Sequence, residues 1–514
     1  MAEQRLRAIV ASLSVAILFL VQTAVAAPGD TKPGDGKPPP GDAKPQAAAA
    51  PATPEHVETH HTIQLGQRSL DYRAIAETIA LTDAKGASTA SIFTISYLAE
   101  PKPGQARPVA FLFNGGPGAA SVFLHLGAVG PRIMQDATDG TVPNPPVVLA
   151  DNPSTWLDFT DLVFVDPVGT GFSRGEGKDD NPNKPFWNVH GDIESLDSVV
   201  RLWLTKHERW GSAIYLVGES YGGFRVGAMA KSLARDEGIV PNGVVMISPA
   251  LDMSLLNPDT TAIVQGGLEL PTFAATAASF AGNNGFDPAP VERFALSDYL
   301  LGLAAIKGVP APGDPFIAKV AAMIGLPVDI VRRERGWVSN QMFAHELRRD
   351  QDQVLSLYDA TITRPSPGGP WDETAGDPIL DNSIAAYTTA FNAYAPEGLG
   401  YHSELQYRVL PRNIFKQWNF DGTREGQDGL GLALSGLQTA LLEHPATKVL
   451  IVNGRYDLVT PYFASRWLVD QLSIPAAVRD AIRLKIYDGG HMMYLRPQSR
   501  TALAADVAAM FAAP

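Results

Sequence analysis

Polar and apolar positions alternate between His61 and Glu100, most cleanly over Ser91-Ile92-Phe93-Thr94-Ile95-Ser96-Tyr97. A period of two predicts antiparallel strands at the edge of a sheet. The pattern then changes. Residues 109–113, 161–165, 213–217 and 243–247 are short, nearly continuous apolar runs separated by helical periodicity, as expected of parallel strands buried on both faces. Between them, Ile193, Leu196, Val199, Val200, Trp203 and Leu204 share one face of a predicted helix that Asp192 can cap. A second predicted helix starts just after Ser220, runs to about Glu237 and stops at Gly238. From about Asp252 to Gln438 the alternation pauses, leaving helix-like and loop-like pieces with many prolines. Strand patterns resume at 448–454 and 483–487. The prediction is an α/β fold with a mostly parallel central sheet, built from 56–251 and 439–514. A largely helical cap, 252–438, is inserted between them. Trp337, Phe343, Trp418 and Phe420 of the cap are expected to be core residues rather than ligand contacts.

The ends of these strands carry the chemistry. Gly218-Glu219-Ser220-Tyr221-Gly222 lies between the run 213–217 and a helix. A Gly-x-Ser-x-Gly elbow in that context holds a serine hydroxyl out at the end of a strand, beside a helix amino terminus. A serine needs a base, a carboxylate to orient that base, and donors for the developing oxyanion. In the α/β-hydrolase arrangement the partners follow in the order Ser, Asp or Glu, His. Asp457 stands three residues past Gly454, at the end of the strand 448–454, and His491 follows the turn Asp488-Gly489-Gly490 after the strand 483–487. Of the ten histidines, His491 alone has a strand and a Gly-Gly turn behind it. His56, His60 and His61 lack acidic or cysteine partners at metal-ligand spacing, and His125 sits in an apolar stretch that suits a core histidine. Ser220, Asp457 and His491 are therefore the expected nucleophile, orienting acid and base.

A second glycine cluster, Asn114-Gly115-Gly116-Pro117-Gly118, follows the strand 109–113. Backbone N–H groups in such a turn can stabilise an oxyanion, with the N–H of Tyr221 as the other half of the hole. A phosphate-binding loop fits poorly, because no Lys-Ser/Thr follows and the dinucleotide spacing is not met cleanly.

Together these blocks resemble the serine carboxypeptidase family, the carboxypeptidase Y-like group. Asn-Gly-Gly-Pro-Gly at 114–118, Gly-Glu-Ser-Tyr-Gly-Gly at 218–223, Asp457 and Gly-Gly-His-Met at 489–492 stand in family order. Asn152-Pro153 with Trp156, and Asp166-Pro167-Val168-Gly169-Thr170-Gly171-Phe172-Ser173, also look like family blocks. The resemblance implies a Ser220–Asp457–His491 triad and an oxyanion hole from the N–H groups of Gly116 and Tyr221. It further implies that Asn114, the Gly115 N–H and Glu219 hold the free carboxylate of a peptide's last residue, making the site an exopeptidase. The sequence departs from the family in three places: Leu112 replaces a Trp, Ala119-Ala120-Ser121 replaces Cys-Ser-Ser, and Ala128 replaces a Glu that pairs with the clamp Glu. Without that pair, activity is expected to persist toward neutral pH.

Composition changes the picture only at the margins. Arg5 and Arg7, an apolar stretch from Ala8 to Val21 and Ala24-Val25-Ala26 read as a secretory signal peptide (1–26) cut after Ala26. This implies a secreted or periplasmic protein with no membrane anchor after cleavage. Residues 27–55, rich in Pro and Ala, should be a disordered linker. The chain has no cysteine, so it forms no disulfide and carries no lipid-modified cysteine. The formal charge of −13, with no basic stripe, argues against nucleic acid. The expected partner is a peptide with a free C-terminus, and no metal or other cofactor is implied. The alternatives are an esterase or acyltransferase using the same triad, or a catalytically silent binding protein on the hydrolase fold.

Overall fold

The computed structural model describes residues 55–100, 106–135, 140–256, 263–283, 285–366, 376–420 and 431–513. The expected signal peptide, and the linker up to residue 54, lie outside them. The chain divides into two units, 1–50 and 51–514, and every described residue belongs to the second.

A long twisted sheet organises that unit. Its main strands are β1 (His56–Leu65), β2 (Arg68–Thr82), β3 (Ser88–Ala99), β4 (Val109–Phe113), β5 (Asp161–Val165), β6 (Ile214–Glu219), β7 (Gly243–Ile247), β8 (Lys448–Gly454) and β9 (Ile482–Tyr487). They lie in the order β1-β2-β3-β5-β4-β6-β7-β8-β9, and a two-residue strand, Arg174–Gly175, pairs with β3. β1, β2 and β3 form an antiparallel meander that meets β5 antiparallel, and β5 through β9 are parallel. The register Val109↔Ile214 and Gly243↔Lys448 keeps the parallel strands level. Their carboxyl ends therefore open onto one edge, where ligands bind in such sheets.

The apolar runs are buried on both faces, as their continuity predicted. Ala110, Leu112, Tyr215 and Val217 join one core cluster with Trp156 and Val507. Val109, Phe111, Phe113 and Leu216 join another with the inner face of α1 (Val189–Lys206) and of α2 (Tyr221–Asp236). β6 runs two residues beyond the predicted strand, carrying it to the elbow itself. The cap of α1 differs from expectation. Asn188 accepts from the Gly191 N–H at 2.9 Å, whereas Asp192 sits in the first turn and pairs with Arg225. A buried guanidinium competes for that carboxylate more strongly than a helix N–H does.

Between β7 and β8 the chain is mainly helical, beginning with α3 (Ile263–Phe280). It also holds a small antiparallel pair, Gln353–Leu355 with Thr363–Pro365, too short to show as periodicity. Its own core, with Leu268, Phe273, Ile317 and Phe343, also takes in Leu458, Tyr462 and Phe463 around the start of α4 (Tyr462–Asp470). The inserted segment is thus packed against the loop that follows β8.

Candidate active site

The elbow begins at the end of β6. Ser220 has φ 59°, a left-handed conformation that costs a non-glycine residue about 1–3 kcal/mol. Its neighbours permit it. A Cβ at Gly222 would lie 2.2 Å from the Phe113 carbonyl oxygen, and one at Gly115 would lie 2.6 Å from the Tyr221 nitrogen. The glycine turn after β4 and the serine turn after β6 therefore touch backbone to backbone. The Tyr221 N–H belongs to the first turn of α2, where no carbonyl four residues back is available to it.

His491 Nδ1 is 2.8 Å from Asp457 Oδ2, and both side chains are buried. Asp457 Oδ1 accepts from the N–H groups of Val459 and Thr460 at 2.8 and 2.9 Å, while the Thr460 hydroxyl donates to Oδ2 at 2.7 Å. Four donors thus fix the orientation of the carboxylate. Burial alone would lower the basicity of His491, but the charge and hydrogen bond of Asp457, helped by Glu219, leave it raised. The imidazole is fixed from behind as well. Ser248 donates to the His491 carbonyl at 2.9 Å, and the Tyr358 ring meets the imidazole edge-on with centroids 5.1 Å apart.

Ser220 and His491 border one cavity of about 340 Å³, together with Asn114, Gly115, Gly116, Glu219 and Tyr221. Among the described residues the Ser220 hydroxyl has no hydrogen-bond partner, and the ring bonds of His491 all leave from Nδ1. On the same wall the Asn114 amide donates to Glu219 Oε2 at 2.6 Å, and Asn114 Oδ1 accepts from the Leu124 N–H. The Tyr494 hydroxyl also donates to Glu219 Oε2, at 2.8 Å. No described hydrogen bond reaches Oε1. Burial pushes the Glu219 carboxyl up to about 7, although the charge of His491 and the bonds from Tyr494 and Asn114 pull it down. Below that pH the group is a neutral donor inside an apolar wall.

All eight residues singled out in the sequence therefore meet at one place. Several neighbours went unread. Tyr494 stands in an apolar run that reads as core, and Thr460 in a turn. Arg225, fully buried in α2, donates to the Asn114 carbonyl and pairs with Asp192 at 2.7 Å. A lone arginine among small apolar residues was the signal available for it. Phe420, expected in the core, lines the cavity with Phe415, and Trp418 packs edge-on against Tyr221. His125 is buried, with the Tyr97 hydroxyl 2.6 Å from its Nε2. No group of acidic residues and histidines among the described residues is arranged to hold a metal ion.

Comparison with known proteins follows the same lines. Residues 81–242 match the serine carboxypeptidase family profile. The stretch includes the glycine turn and the serine elbow but ends before Asp457 and His491. A pheromone-processing carboxypeptidase kex1 of Aspergillus fumigatus is 31% identical over 138 residues, 25% of this chain and 18% of its own. A carboxypeptidase Y homolog of Arthroderma benhamiae is 30% identical over 165 residues, 30% of this chain and 29% of its own. A serine carboxypeptidase-like protein of Arabidopsis thaliana is 28% identical over 159 residues, 29% and 34% respectively. The matches thus span about a fifth to a third of the length of these curated relatives. Among solved structures, a peroxisomal alpha-beta-hydrolase of Saccharomyces cerevisiae aligns at 9% identity over 89% of this chain and 90% of its own, with a TM-score of 0.35. The fold assignment rests on the strand order rather than on that overlap. Over residues 81–242, which hold both glycine-bounded turns, the chain is similar to the serine carboxypeptidase family.

Proposed function

We propose that the protein is a serine-type carboxypeptidase that removes C-terminal amino acids from peptides through an acyl-enzyme. In this reading His491 Nε2 takes the hydroxyl proton as Ser220 Oγ attacks the last peptide carbonyl. The oxyanion is held by the N–H groups of Gly116 and Tyr221. The imidazolium, stabilised by Asp457, then gives its proton to the leaving amine and the terminal amino acid departs. Water, deprotonated by His491, attacks the acyl-enzyme, and the serine regains its proton. Asn114, the Gly115 N–H and neutral Glu219 bind the free carboxylate, each as a donor.

One observation carries the reading. A serine on a positive-φ elbow shares a cavity with an Asp-paired histidine, beside a buried carboxyl raised to about 7 by burial. An esterase has no need of a neutral acid there. Export with cleavage after Ala26 is part of the proposal, and amino-terminal sequencing of the mature protein checks it.

The test compares an N-blocked dipeptide with its C-terminal amide. The acid should be cleaved with kcat/KM at least about a hundredfold above the amide, since the amide leaves buried donors and a carboxyl mismatched. Equal turnover of the two would favour an esterase or acyltransferase. A fluorophosphonate probe should label the wild-type protein but not S220A, and failure to label either would favour a silent binding protein.

A further inference from the structure

The wall that α3 contributes to the cavity is polar where the mechanism needs nothing polar. Gln265 and Glu269 both line it, one turn apart, among Leu251, Leu255, Leu268 and Leu468. They are 8% and 5% exposed. Gln265 Nε2 donates to Glu269 Oε1 at 2.9 Å, which leaves Gln265 Oε1 and Glu269 Oε2 as buried acceptors with no hydrogen-bond partner. The Trp337 indole N–H lies on the same side and favours the charged form of Glu269, without a bond of normal geometry. Burial nonetheless pushes the Glu269 carboxyl up to about 7. Orphaned acceptors beside an apolar cavity are costly unless something donates to them.

The rest of the lining indicates what that donor is. Among the described residues, the cavity wall carries three carboxyl groups, Glu219, Asp252 and Glu269, and no lysine or arginine. Asp252 is already engaged by the Ser254 N–H and hydroxyl, and Glu219 by Asn114 and Tyr494. Glu269 and Gln265 are left with acceptor capacity and no cation.

We infer that Gln265 and Glu269 form a subsite for a positively charged side chain, so that the preferred peptides carry lysine or arginine at one of the two residues joined by the cleaved bond. This rests on the carboxypeptidase reading for the identity of the substrate. The leucines around the pair would cover the aliphatic stem, and the two acceptor oxygens would take the ammonium or guanidinium protons.

Binding measured without turnover separates this proposal from the activity. Calorimetry on S220A would compare acetyl-leucyl-leucine, acetyl-lysyl-leucine and acetyl-leucyl-lysine. One of the lysine peptides should bind about tenfold or more tightly than the leucine peptide. That preference should fall to about twofold or less in S220A/E269Q, and S220A/E269L should favour acetyl-leucyl-leucine. The inference is overturned if no lysine peptide binds better than the leucine peptide, or if the preference survives both substitutions at Glu269. Should lysine peptides bind through Glu269 while the wild-type protein cleaves none of them, the carboxypeptidase reading falls and the cation subsite stands.

Discussion

Glu219 is the residue on which the pH behaviour turns. Its carboxyl is lifted to about 7 by burial, so in the proposed mechanism it would donate to a substrate carboxylate below that pH and, once charged, repel one above it. His491 is raised above its ordinary value, and it must be neutral to act as base. The expected profile therefore loses kcat as pH falls through the histidine value and gains KM as pH rises past about 7. Glu219→Gln keeps a donor at every pH, so the alkaline rise in KM should disappear while the acid limb of kcat remains. An unchanged alkaline limb would remove Glu219 from carboxylate recognition. Where the sequence has Ala128 instead of a partner carboxyl, the Tyr494 hydroxyl occupies Glu219 Oε2. A profile maximal only in strong acid would contradict this account. Asp457→Asn should lower kcat by about 10⁴-fold, because it favours the wrong imidazole tautomer, and a loss under tenfold would argue against the relay.

The elements that carry the site were largely legible, and physics explains both the hits and the misses. β4 to β8 declared themselves because strands buried on both faces must be apolar throughout. The turns after β4, β6 and β9 showed because close backbone approach excludes side chains. Contacts made across the fold left no such trace. The Asp192–Arg225 pair joins α1 to α2 over 33 positions, and a carboxylate near a helix start reads equally well as a cap. That pair also ties α2 to the Asn114 carbonyl. Arg225→Met should destabilise the fold by about 3–5 kcal/mol, since it strands a buried carboxylate. Arg225→Met with Asp192→Asn should recover part of the loss. Denaturant unfolding of the two variants decides it, and equal stability of both would show that the charges are not coupled.

At the scale of the whole molecule the inserted segment was least readable. Its helix α3 contains Pro271, and its core closes only by joining residues beyond β8, so neither periodicity nor length revealed which face meets the cavity. Titration offers a global check. Asp166, Glu219 and Glu269 are each pushed up to about 7 by burial, so the folded chain keeps protons that the unfolded chain releases between the ordinary carboxylate value and about 7. Stability should fall as pH rises through that window. His491, raised, acts in the same sense. His61, His125 and His345, lowered by burial, oppose them, while the raised carboxyls of Asp192, Asp197 and Asp359 add to the first group. The melting temperature is therefore predicted to be higher near about pH 5.5 than near about pH 8. The reverse order would mean that these acids are not protonated in the folded chain.

Time-resolved mass spectrometry of a mixed-sequence peptide decides whether Ser220 performs the proposed stepwise hydrolysis from a free C-terminus. The wild-type protein should produce a ladder of masses shortened one residue at a time from the C-terminal end, and S220A none. Internal fragments, or a ladder that S220A still produces, would contradict it.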